Sequence, residues 1–325
     1  MTDRLPVGVV GVGALGRHHA RHLAAMPGVE LVGVCDVDPA RGAEVAANTA
    51  CQFFHTLDDL LDRVRAVSIA VPTVAHHETG LHCLGRGVAV LMEKPLAASL
   101  AEADELLAEA ERHDLVFAVG HVERFNRAVR AARDVLDRPL FFEGARLAPF
   151  QLRGTDVPVV LDLMIHDLDL ALHLAGAAVV TDVRASGVSI LSPHLDMVSA
   201  RVEFLGGTVA SMTSSRVARD RVRRLRIFQA SGYISLDLGT GSATFMRLRD
   251  GWRQGTGSSI EEIVEVVPLD APEADALGLE LAAFIDAVQG VPAEVVSAIE
   301  GRAALALALE VSAAVQRTPV PVLGR

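Results

Sequence analysis

Acid–base chemistry in this chain is best supported by a lysine in the first half and by an aspartate and a histidine in the second. Lys94 directly follows the apolar segment 89–92, so we expect it to lie half sheltered at the end of a buried strand. Burial lowers the pKa of an amine towards neutrality, which suits the transfer of a proton. The alternative is a surface lysine that extends into water.

Asp162 and His166 are four residues apart, which places them on one face of a helix predicted over 159–175. An acid beside an imidazole can orient a hydroxyl group and accept its proton. Asp167 and Asp169 are interpreted as structural. The alternative for the pair is a helix cap and a buried histidine, and a metal site is disfavoured because no third ligand is evident. The predicted packing side of this helix consists of Leu161, Ile165, Leu168 and Leu172.

The first third of the chain alternates near-continuous apolar strands with amphipathic helices, which is typical of a parallel sheet buried on both faces. The predicted strands are 7–10, 31–35, 52–54, 66–71, 89–92 and 116–119. The predicted helices are 14–26, 39–48, 57–63, 74–86 and 99–113. We therefore expect an α/β fold whose N-terminal domain, residues 1–122, is a doubly wound (Rossmann) sheet.

A glycine-rich turn joins the first strand to the first helix and predicts a dinucleotide site. Gly11 permits the tight turn, Gly13 permits close approach of a pyrophosphate, and Gly16 permits close packing of helix on strand. The free N–H groups at the start of the helix, around Ala14 and Leu15, attract phosphate. The alternative is an ordinary glycine turn in a parallel sheet.

Asp36 lies at the tip of the second strand, twenty residues after Gly16, where a carboxylate accepts hydrogen bonds from the adenosine ribose. Because that carboxylate would repel the 2′-phosphate of NADP, we expect NAD as the cofactor and NADP as the less suitable one. Arg41 is close in sequence but lies beyond Asp38 and Pro39.

Ligands of doubly wound sheets bind beyond the carboxyl ends of the strands, so the residues that follow each strand are candidates. The candidates for cofactor binding are Gly11, Gly13, Ala14, Leu15, Gly16, Asp36, Pro72, Thr73, His76, Glu93 and Lys94. The candidates for substrate binding are Lys94, Arg124, Asn126, Arg153, Asp162 and His166.

Residues 123–325 are expected to form an α+β domain with an open, mainly antiparallel sheet. The predicted strands are 140–147, 179–190, 197–205, 207–215, 222–231, 232–238 and 243–248. The predicted helices are 125–137, 159–175, 273–289 and 295–316, and segment 255–259 is a predicted surface loop. An open sheet needs a cover on its far face, so we expect a homodimer or a homotetramer.

The composition narrows the class of protein. The chain has 325 residues, enough for two domains, and a formal net charge of −11, which argues against a nucleic-acid binder. The three cysteines show no metal or redox spacing, which favours a reducing cytoplasm. No signal peptide and no apolar run long enough to span a bilayer are evident, so no membrane partner is expected.

The chain resembles the glucose–fructose oxidoreductase, inositol dehydrogenase and rhizopine-catabolism (Gfo/Idh/MocA) family over nearly its whole length. The resemblance is carried in chain order by Gly11-x-Gly13-x-x-Gly16, Asp36, Pro72 with His76, Glu93-Lys94-Pro95, Asp162 with His166, and segment 301–307. It implies an NAD-dependent enzyme in which Lys94, Asp162 and His166 act on a substrate hydroxyl, and it implies a cis bond before Pro95. His166, held by Asp162, is the first choice for the base, with Lys94 stabilising negative charge; the two roles could be exchanged.

Segments 120–126, 162–169 and 214–229 are similar to the branch of UDP-N-acetylglucosamine 3-dehydrogenases, which oxidise the C3 hydroxyl of a nucleotide sugar to a ketone. One departure is Arg127, where many relatives carry proline. Arginines of segment 216–226 could pair with a diphosphate, but apolar residues interrupt the run, which favours a solvated or interface strand face.

Two other readings stay open. The first is a dehydrogenase or reductase of a free sugar, an inositol or a sugar acid, and the second is an NAD-binding sensor without activity. The joint presence of Lys94, Asp162 and His166 argues against the sensor. The histidines of segment 17–22 could be metal ligands by spacing, but a solvated helix face is the favoured interpretation.

Overall fold

The computed structural model describes residues 4–151, 157–176, 179–253 and 259–317. They divide into two compact units. The first unit contains the residues up to 122 together with 274–305, and the second contains residues 123–273 and those from 306 onward.

The first unit is built on a parallel sheet in the order β3-β2-β1-β4-β5-β6. The strands are β1 (Leu5–Val10), β2 (Val29–Cys35), β3 (Gln52–Phe54), β4 (Ala66–Ile69), β5 (Ala89–Glu93) and β6 (Phe117–Gly120). The strand order reverses between β1 and β4, the point at which such sheets bind ligands beyond their carboxyl ends. Every residue of β4 and β6 is buried, as expected for strands covered on both faces. The predicted doubly wound sheet is confirmed.

The helices of this sheet are α1 (Gly16–Ala25), α2 (Pro39–Thr49), α3 (Leu57–Leu61), α4 (His76–Gly85) and α5 (Leu100–Arg112). Three of them begin where a side chain accepts a hydrogen bond from a free backbone N–H group, namely at Asp38, Thr56 and Ser99. A short 3₁₀ turn, Thr73–Ala75, precedes α4, so this helix begins later than predicted.

The second unit is built on a sheet in the order β14-β13-β12-β11-β7-β10-β9-β8. The strands are β7 (Phe141–Leu147), β8 (Val180–Val188), β9 (Met197–Phe204), β10 (Val209–Ser215), β11 (Val222–Gln229), β12 (Gly232–Asp237), β13 (Ser242–Leu248) and β14 (Val264–Leu269). Neighbours are antiparallel except for the parallel pair β7 and β10, which confirms a mainly antiparallel sheet. The sequence analysis assigned no element to the residues of β14.

This sheet is accompanied by α6 (Arg127–Ala132), α7 (Ile165–Leu174) and α8 (Ile260–Ile263). The helix predicted over 125–137 is broken, because Asn126 caps α6 by accepting a hydrogen bond from the N–H of Ala128. The helix predicted over 159–175 begins with a π-helical turn, Val160–Met164, before α7. The loop predicted at 255–259 lies outside the described residues except for Ser259.

The last helices are α9 (Ala276–Val288) and α10 (Ala298–Arg317). The sequence analysis assigned all residues after 122 to the second domain, whereas residues 274–305 group with the first unit in the structure. The physical reason is burial, since Leu281, Phe284 and Ile285 of α9 belong to the apolar core around β1 and α1. No helix of the described residues is long and apolar enough to cross a membrane.

Candidate active site

The glycine turn after β1 has the geometry that a dinucleotide requires. Gly11 has a φ of 79°, in the left-handed region that favours glycine. A Cβ on Gly16 would lie 1.8 Å from the Gly11 carbonyl oxygen, so only glycine fits there. A Cβ on Gly13 would meet nothing within 4 Å, which leaves its backbone open to an approaching phosphate. Ala14 and the half-exposed Leu15 follow in the turn, as predicted from the sequence.

Asp36 links the end of β2 to this turn. Its Oδ2 accepts a hydrogen bond from the N–H of Val12 at 2.7 Å, and Arg41 donates to Oδ1 at 2.6 Å. Burial acts to raise the pKa of Asp36, but the hydrogen bonds from Arg41, Asp38 and Val12 hold it below its usual range. Asp36 is therefore an anion, as its predicted role requires, and Arg41 lies closer to it than the sequence suggested.

A cleft of about 520 Å³ lies beside the turn. Gly13, Ala14, Arg17, His18 and Arg41 are among the residues that line it. The open backbone of the turn, the ionised Asp36 and the guanidinium groups of Arg17 and Arg41 fit the phosphates and the adenosine ribose of a dinucleotide. The residues present therefore fit NAD.

Lys94 lies in a turn that is held at both sides. It is half-buried directly after β5, and its bond to Pro95 is cis, as predicted. The buried His76 contacts the Pro95 carbonyl oxygen through Nδ1 at 2.8 Å and the Val71 carbonyl oxygen through Nε2 at 3.0 Å. Burial lowers the pKa of His76, although the two carbonyl acceptors favour the protonated ring. Thus His76, predicted to bind the cofactor, supports the backbone of the turn that contains Lys94 and Pro95, which we call the lysine turn.

The composition holds a signal that the sequence analysis missed. The chain has 30 lysines and arginines in total, and Lys94 is the only lysine among them. Arginine stays protonated in proteins, whereas lysine loses its proton when its pKa is lowered. The one position at which this chain uses an amine is thus the position predicted to move a proton.

Pro72 and Thr73 lie directly after the end of β4, with Pro72 exposed and Thr73 half-buried. The Pro72 carbonyl oxygen accepts a hydrogen bond from the N–H of Ala75 at 2.8 Å, which closes the turn before α4. Both residues lie at the strand ends where the cofactor is expected, and their contacts with it stay a prediction.

In the second unit, Asp162 lies in the π-helical turn and His166 in the first turn of α7. Irregular turns of this kind are frequent at functional sites. Both side chains are half-buried. Ile165 and Leu168 are buried as predicted, while Leu161 and Leu172 are only partly so.

A cavity of about 230 Å³ has Asp162 in its wall together with arginines from two adjacent strands and the loop between β10 and β11. The arginines are Arg146, Arg216, Arg221 and Arg223. A solvated or interface strand face was favoured for segment 216–226, but Arg216 is not solvated. That side chain is 4% exposed, and its guanidinium donates to the Val157 carbonyl oxygen at 2.5 Å.

The electrostatics of this cavity favour an anion. Arg223 lies opposite Arg146 in the pairing of β11 with β7, and like charges in that position repel. Burial lowers the pKa of Arg223, and the charges of Arg146 and Arg221 lower it further, against the effect of Glu123. Among the described residues, Arg221 has no ion-pair partner. An anion beside Arg221 and Arg223 would relieve this repulsion.

Buried ion pairs hold the elements around the cavity. Arg146 donates to Asp167 at 2.8 and 3.0 Å and to Glu123 at 2.8 Å. Arg124 donates to Asp169 at 2.6 and 2.9 Å. The structural roles predicted for Asp167 and Asp169 are therefore confirmed.

The remaining substrate-binding candidates are placed differently from one another. Arg124 is 5% exposed, and its pairing with Asp169 favours a positioning role over substrate contact. Asn126 caps α6, and its Nδ2 donates to Glu123 and to the Leu238 carbonyl oxygen, both at 2.9 Å. Arg153 lies outside the described residues.

The solvated face favoured for segment 17–22 is present at Arg17 and Arg21, which are exposed, but not at His19. His19 is 1% exposed and lies between Ser68 and Glu93. In the part of the chain that the structure describes, no group of three or more histidine, cysteine, aspartate or glutamate side chains could hold a metal ion.

Two family models match the chain. The model of the GFO/IDH/MocA oxidoreductase family, NAD-binding Rossmann fold, matches residues 5–121, and that of the GFO/IDH/MocA C-terminal domain matches residues 146–235.

Among the relatives, a UDP-N-acetylglucosamine 3-dehydrogenase of Acidithiobacillus ferrooxidans is 40% identical over 95% of this chain and 96% of its own length. A solved structure of UDP-N-acetylglucosamine 3-dehydrogenase GnnA from the same organism is 38% identical. It covers 97% of this chain and 98% of its own, with a TM-score of 0.90.

A crystal structure of GenD2 from gentamicin A biosynthesis in complex with NAD is 23% identical, covers 98% of this chain and 96% of its own, and shares the fold with a TM-score of 0.81. The glycine turn, the ionised Asp36 and the matches over both units lead to one conclusion. The chain belongs to the Gfo/Idh/MocA family of oxidoreductases, and its cofactor is NAD.

Proposed function

We propose that this chain oxidises the C3 hydroxyl of UDP-N-acetylglucosamine, or of a closely similar nucleotide sugar, to a ketone. The observation that carries the proposal is the cavity in which Asp162 and four arginines share one wall. The 40% identity to a UDP-N-acetylglucosamine 3-dehydrogenase over 95% of the chain supports the same substrate.

The arginines argue for a diphosphate rather than a free sugar. Guanidinium groups match the geometry of phosphate oxygens and bind them through charge-assisted hydrogen bonds. A neutral sugar or an inositol gives Arg221 and Arg223 no anion with which to pair. The cavity, at about 230 Å³, is smaller than the roughly 300 to 1,000 Å³ of drug-sized ligand sites, so it accounts for the charged part of such a substrate.

In this proposal, Lys94, Asp162 and His166 handle the proton of the substrate hydroxyl. His166 accepts the proton and Asp162 orients its ring, while Lys94 donates a hydrogen bond to the same oxygen and stabilises its negative charge. NAD, when bound, supplies the acceptor for the hydride. The glycine turn and Asp36 hold that cofactor through backbone N–H groups and a carboxylate.

The proposal includes a homodimer or homotetramer and a cytoplasmic location. A cytoplasmic location is supported by the free thiols of Cys35, Cys51 and Cys83, since cytosolic proteins keep cysteines reduced. An oligomer is supported by the wide open sheet of the second unit, a type of surface that self-association often covers.

The test is a steady-state assay of NADH absorbance with UDP-N-acetylglucosamine, N-acetylglucosamine and myo-inositol. We expect turnover with the nucleotide sugar. The double variant Arg221→Ala and Arg223→Ala should raise KM for it at least tenfold, because charge-assisted hydrogen bonds contribute about 1.5 to 3 kcal/mol each. Arg224→Ala is the matched control, since Arg224 is exposed on the same strand and outside the cavity wall.

Two outcomes would contradict the proposal. One is turnover of N-acetylglucosamine or inositol with no response to the nucleotide sugar, which would assign the chain to free polyols. The other is an equal effect of the double variant and of Arg224→Ala on KM, which would show that the diphosphate does not bind in this cavity.

A further inference from the structure

The helix that follows the glycine turn places one buried histidine against the sheet, and the proposed function gives this residue no role. His19 of α1 is 1% exposed. Its Nδ1 lies 2.8 Å from Ser68 Oγ in β4, and its Nε2 lies 3.1 Å from Glu93 Oε1 at the end of β5. Both ring nitrogens are therefore used, in a series of contacts that ends at the residue before Lys94.

The donors and acceptors in this series can be assigned from chemistry. A carboxylate only accepts hydrogen bonds, so His19 Nε2 donates to Glu93. In the neutral ring Nδ1 then accepts, and the hydroxyl of Ser68 donates to it. Ser68 is the polar residue of β4, whose other residues are Ala66, Val67 and Ile69. A buried hydroxyl without a partner would cost about 1 to 3 kcal/mol, so Ser68 and His19 satisfy each other.

Glu93 connects this series to the lysine turn. Its Oε2 accepts a hydrogen bond from the backbone N–H of Lys94 at 3.1 Å. Burial acts to raise the pKa of Glu93, but the hydrogen bond from His19 and the charge of Lys94 hold it below its usual range. A Cβ on Gly120 would lie 3.3 Å from the carboxylate carbon of Glu93. The end of β6 therefore carries no side chain at the place where this carboxylate lies.

We propose that His19 is a positioning residue for Lys94. It holds the Glu93 carboxylate in place, and that carboxylate holds the backbone from which Lys94 projects. His76 supports the same turn from its other side through the Pro95 carbonyl oxygen. The inference rests on the proposed function in one respect, namely that Lys94 acts on the substrate hydroxyl.

The first test compares His19→Leu, His19→Gln and the control His22→Leu. Leucine removes both hydrogen bonds, whereas the amide of glutamine offers one donor and one acceptor and can keep them. We expect kcat to fall at least tenfold in His19→Leu, with Kd for NAD changed less than twofold, and we expect His19→Gln to retain most of the activity. His22 lies on the same helix but pairs at the surface with Asp275, so His22→Leu should leave kcat unchanged.

A second comparison separates positioning from loss of structure. If His19 acts through Glu93, adding His19→Leu to Glu93→Gln should lower kcat little further, because coupled residues are not additive. If His19→Leu does not fold, Ser68→Ala provides the test, because it removes the hydrogen bond to the imidazole and deletes only one hydroxyl group from the core. Unchanged kcat in a folded His19→Leu or in Ser68→Ala overturns the inference, and so do fully additive losses.

A further measurement does not need the substrate. Because Lys94 is the only lysine, protein grown on [¹³Cε]lysine gives one side-chain signal, which reports on Lys94 alone. We expect this signal to shift in His19→Leu and to stay in place in His22→Leu. A shift without any sugar turnover in the wild type would contradict the proposed function and leave the positioning intact. Sugar turnover by the wild type together with an unchanged Lys94 signal in His19→Leu would overturn the positioning role of His19 and leave the proposed function intact.

Discussion

The two candidate sites are stabilised by different kinds of interaction. In the first unit, the turns at Gly11–Gly16 and Lys94 are held by backbone geometry and by hydrogen bonds of two buried histidines. In the second unit, the cavity beside Asp162 is held by buried arginine–carboxylate pairs. The first kind of site needs particular residues within short segments. The second needs partners that are far apart in the chain.

This difference indicates how each unit tolerates change. Backbone turns fail through sterics, when a side chain enters space that must stay open. Buried ion pairs fail through desolvation, because removing one partner leaves an uncompensated charge in the interior. The three predictions below test whether the units differ in this way.

The largest effect is expected from Arg146→Met in the second unit. It leaves Asp167 and Glu123 buried without their shared cation, which should cost about 3 to 5 kcal/mol of the free energy of unfolding. Urea denaturation followed by circular dichroism measures this loss. The control is Arg184→Met, whose pair with Asp182 is largely exposed, so its loss should stay below about 1 kcal/mol. Equal losses in both variants would show that the buried pairs do not hold this unit.

A smaller effect, on rate and not on stability, is expected from Lys94→Arg in the first unit. The change keeps a positive charge but replaces a compact ammonium by a wider, planar guanidinium, which cannot place the same hydrogen bond on the substrate oxygen, so kcat should fall at least about a hundredfold. Kd for NAD and the midpoint of urea unfolding should stay close to those of the wild type. Arg112→Lys makes the reverse exchange at an exposed surface pair and serves as control. Near-normal turnover of Lys94→Arg would show that a hydrogen bond from Lys94 is not needed to stabilise the substrate oxygen.

The smallest effect should distinguish two glycines of the same turn. Gly13→Ala adds a methyl group to open space, so it should weaken NAD binding about tenfold, about 1.4 kcal/mol, without changing stability. Gly16→Ala places its methyl group 1.8 Å from the Gly11 carbonyl oxygen, so it should weaken binding and also cost about 1 to 3 kcal/mol of stability. Calorimetric titration with NAD and urea unfolding of both variants measure the two effects. Equal stability of the two variants would contradict this account of the turn.

The same contrast explains which features could be predicted from the sequence. The glycine turn, Asp36 and the lysine turn are local, and short segments carry the steric and chemical information that defines them. The doubly wound arrangement followed because alternating strands and helices allow few connections. The pairing of Arg146 with Asp167, twenty-one residues apart, depends on tertiary packing and could not be predicted in that way.

Two features could have been predicted more fully. The periodicity of α1 places His19 with the buried Ala20 and Leu23, which favours the sheet side of the helix. A count of lysines would have singled out Lys94 before any motif was considered. Segment 274–305, by contrast, packs on a core that includes β1 and α1, whose residues lie more than two hundred positions earlier. No local sequence pattern indicates that a late segment packs against the N-terminal unit.

The single lysine has a consequence for covalent chemistry. Apart from the amino terminus, acylating reagents find one amine in the whole chain, and it lies in the lysine turn. The arginines elsewhere keep their charge under the same treatment, so the fold and its ion pairs stay as they are. Acylation at Lys94 therefore converts a charged hydrogen-bond donor into a neutral amide, while every other side chain of the molecule keeps its charge. The protein thus has a single side-chain amine that can be acylated, and it belongs to the residue on which the proposed activity depends.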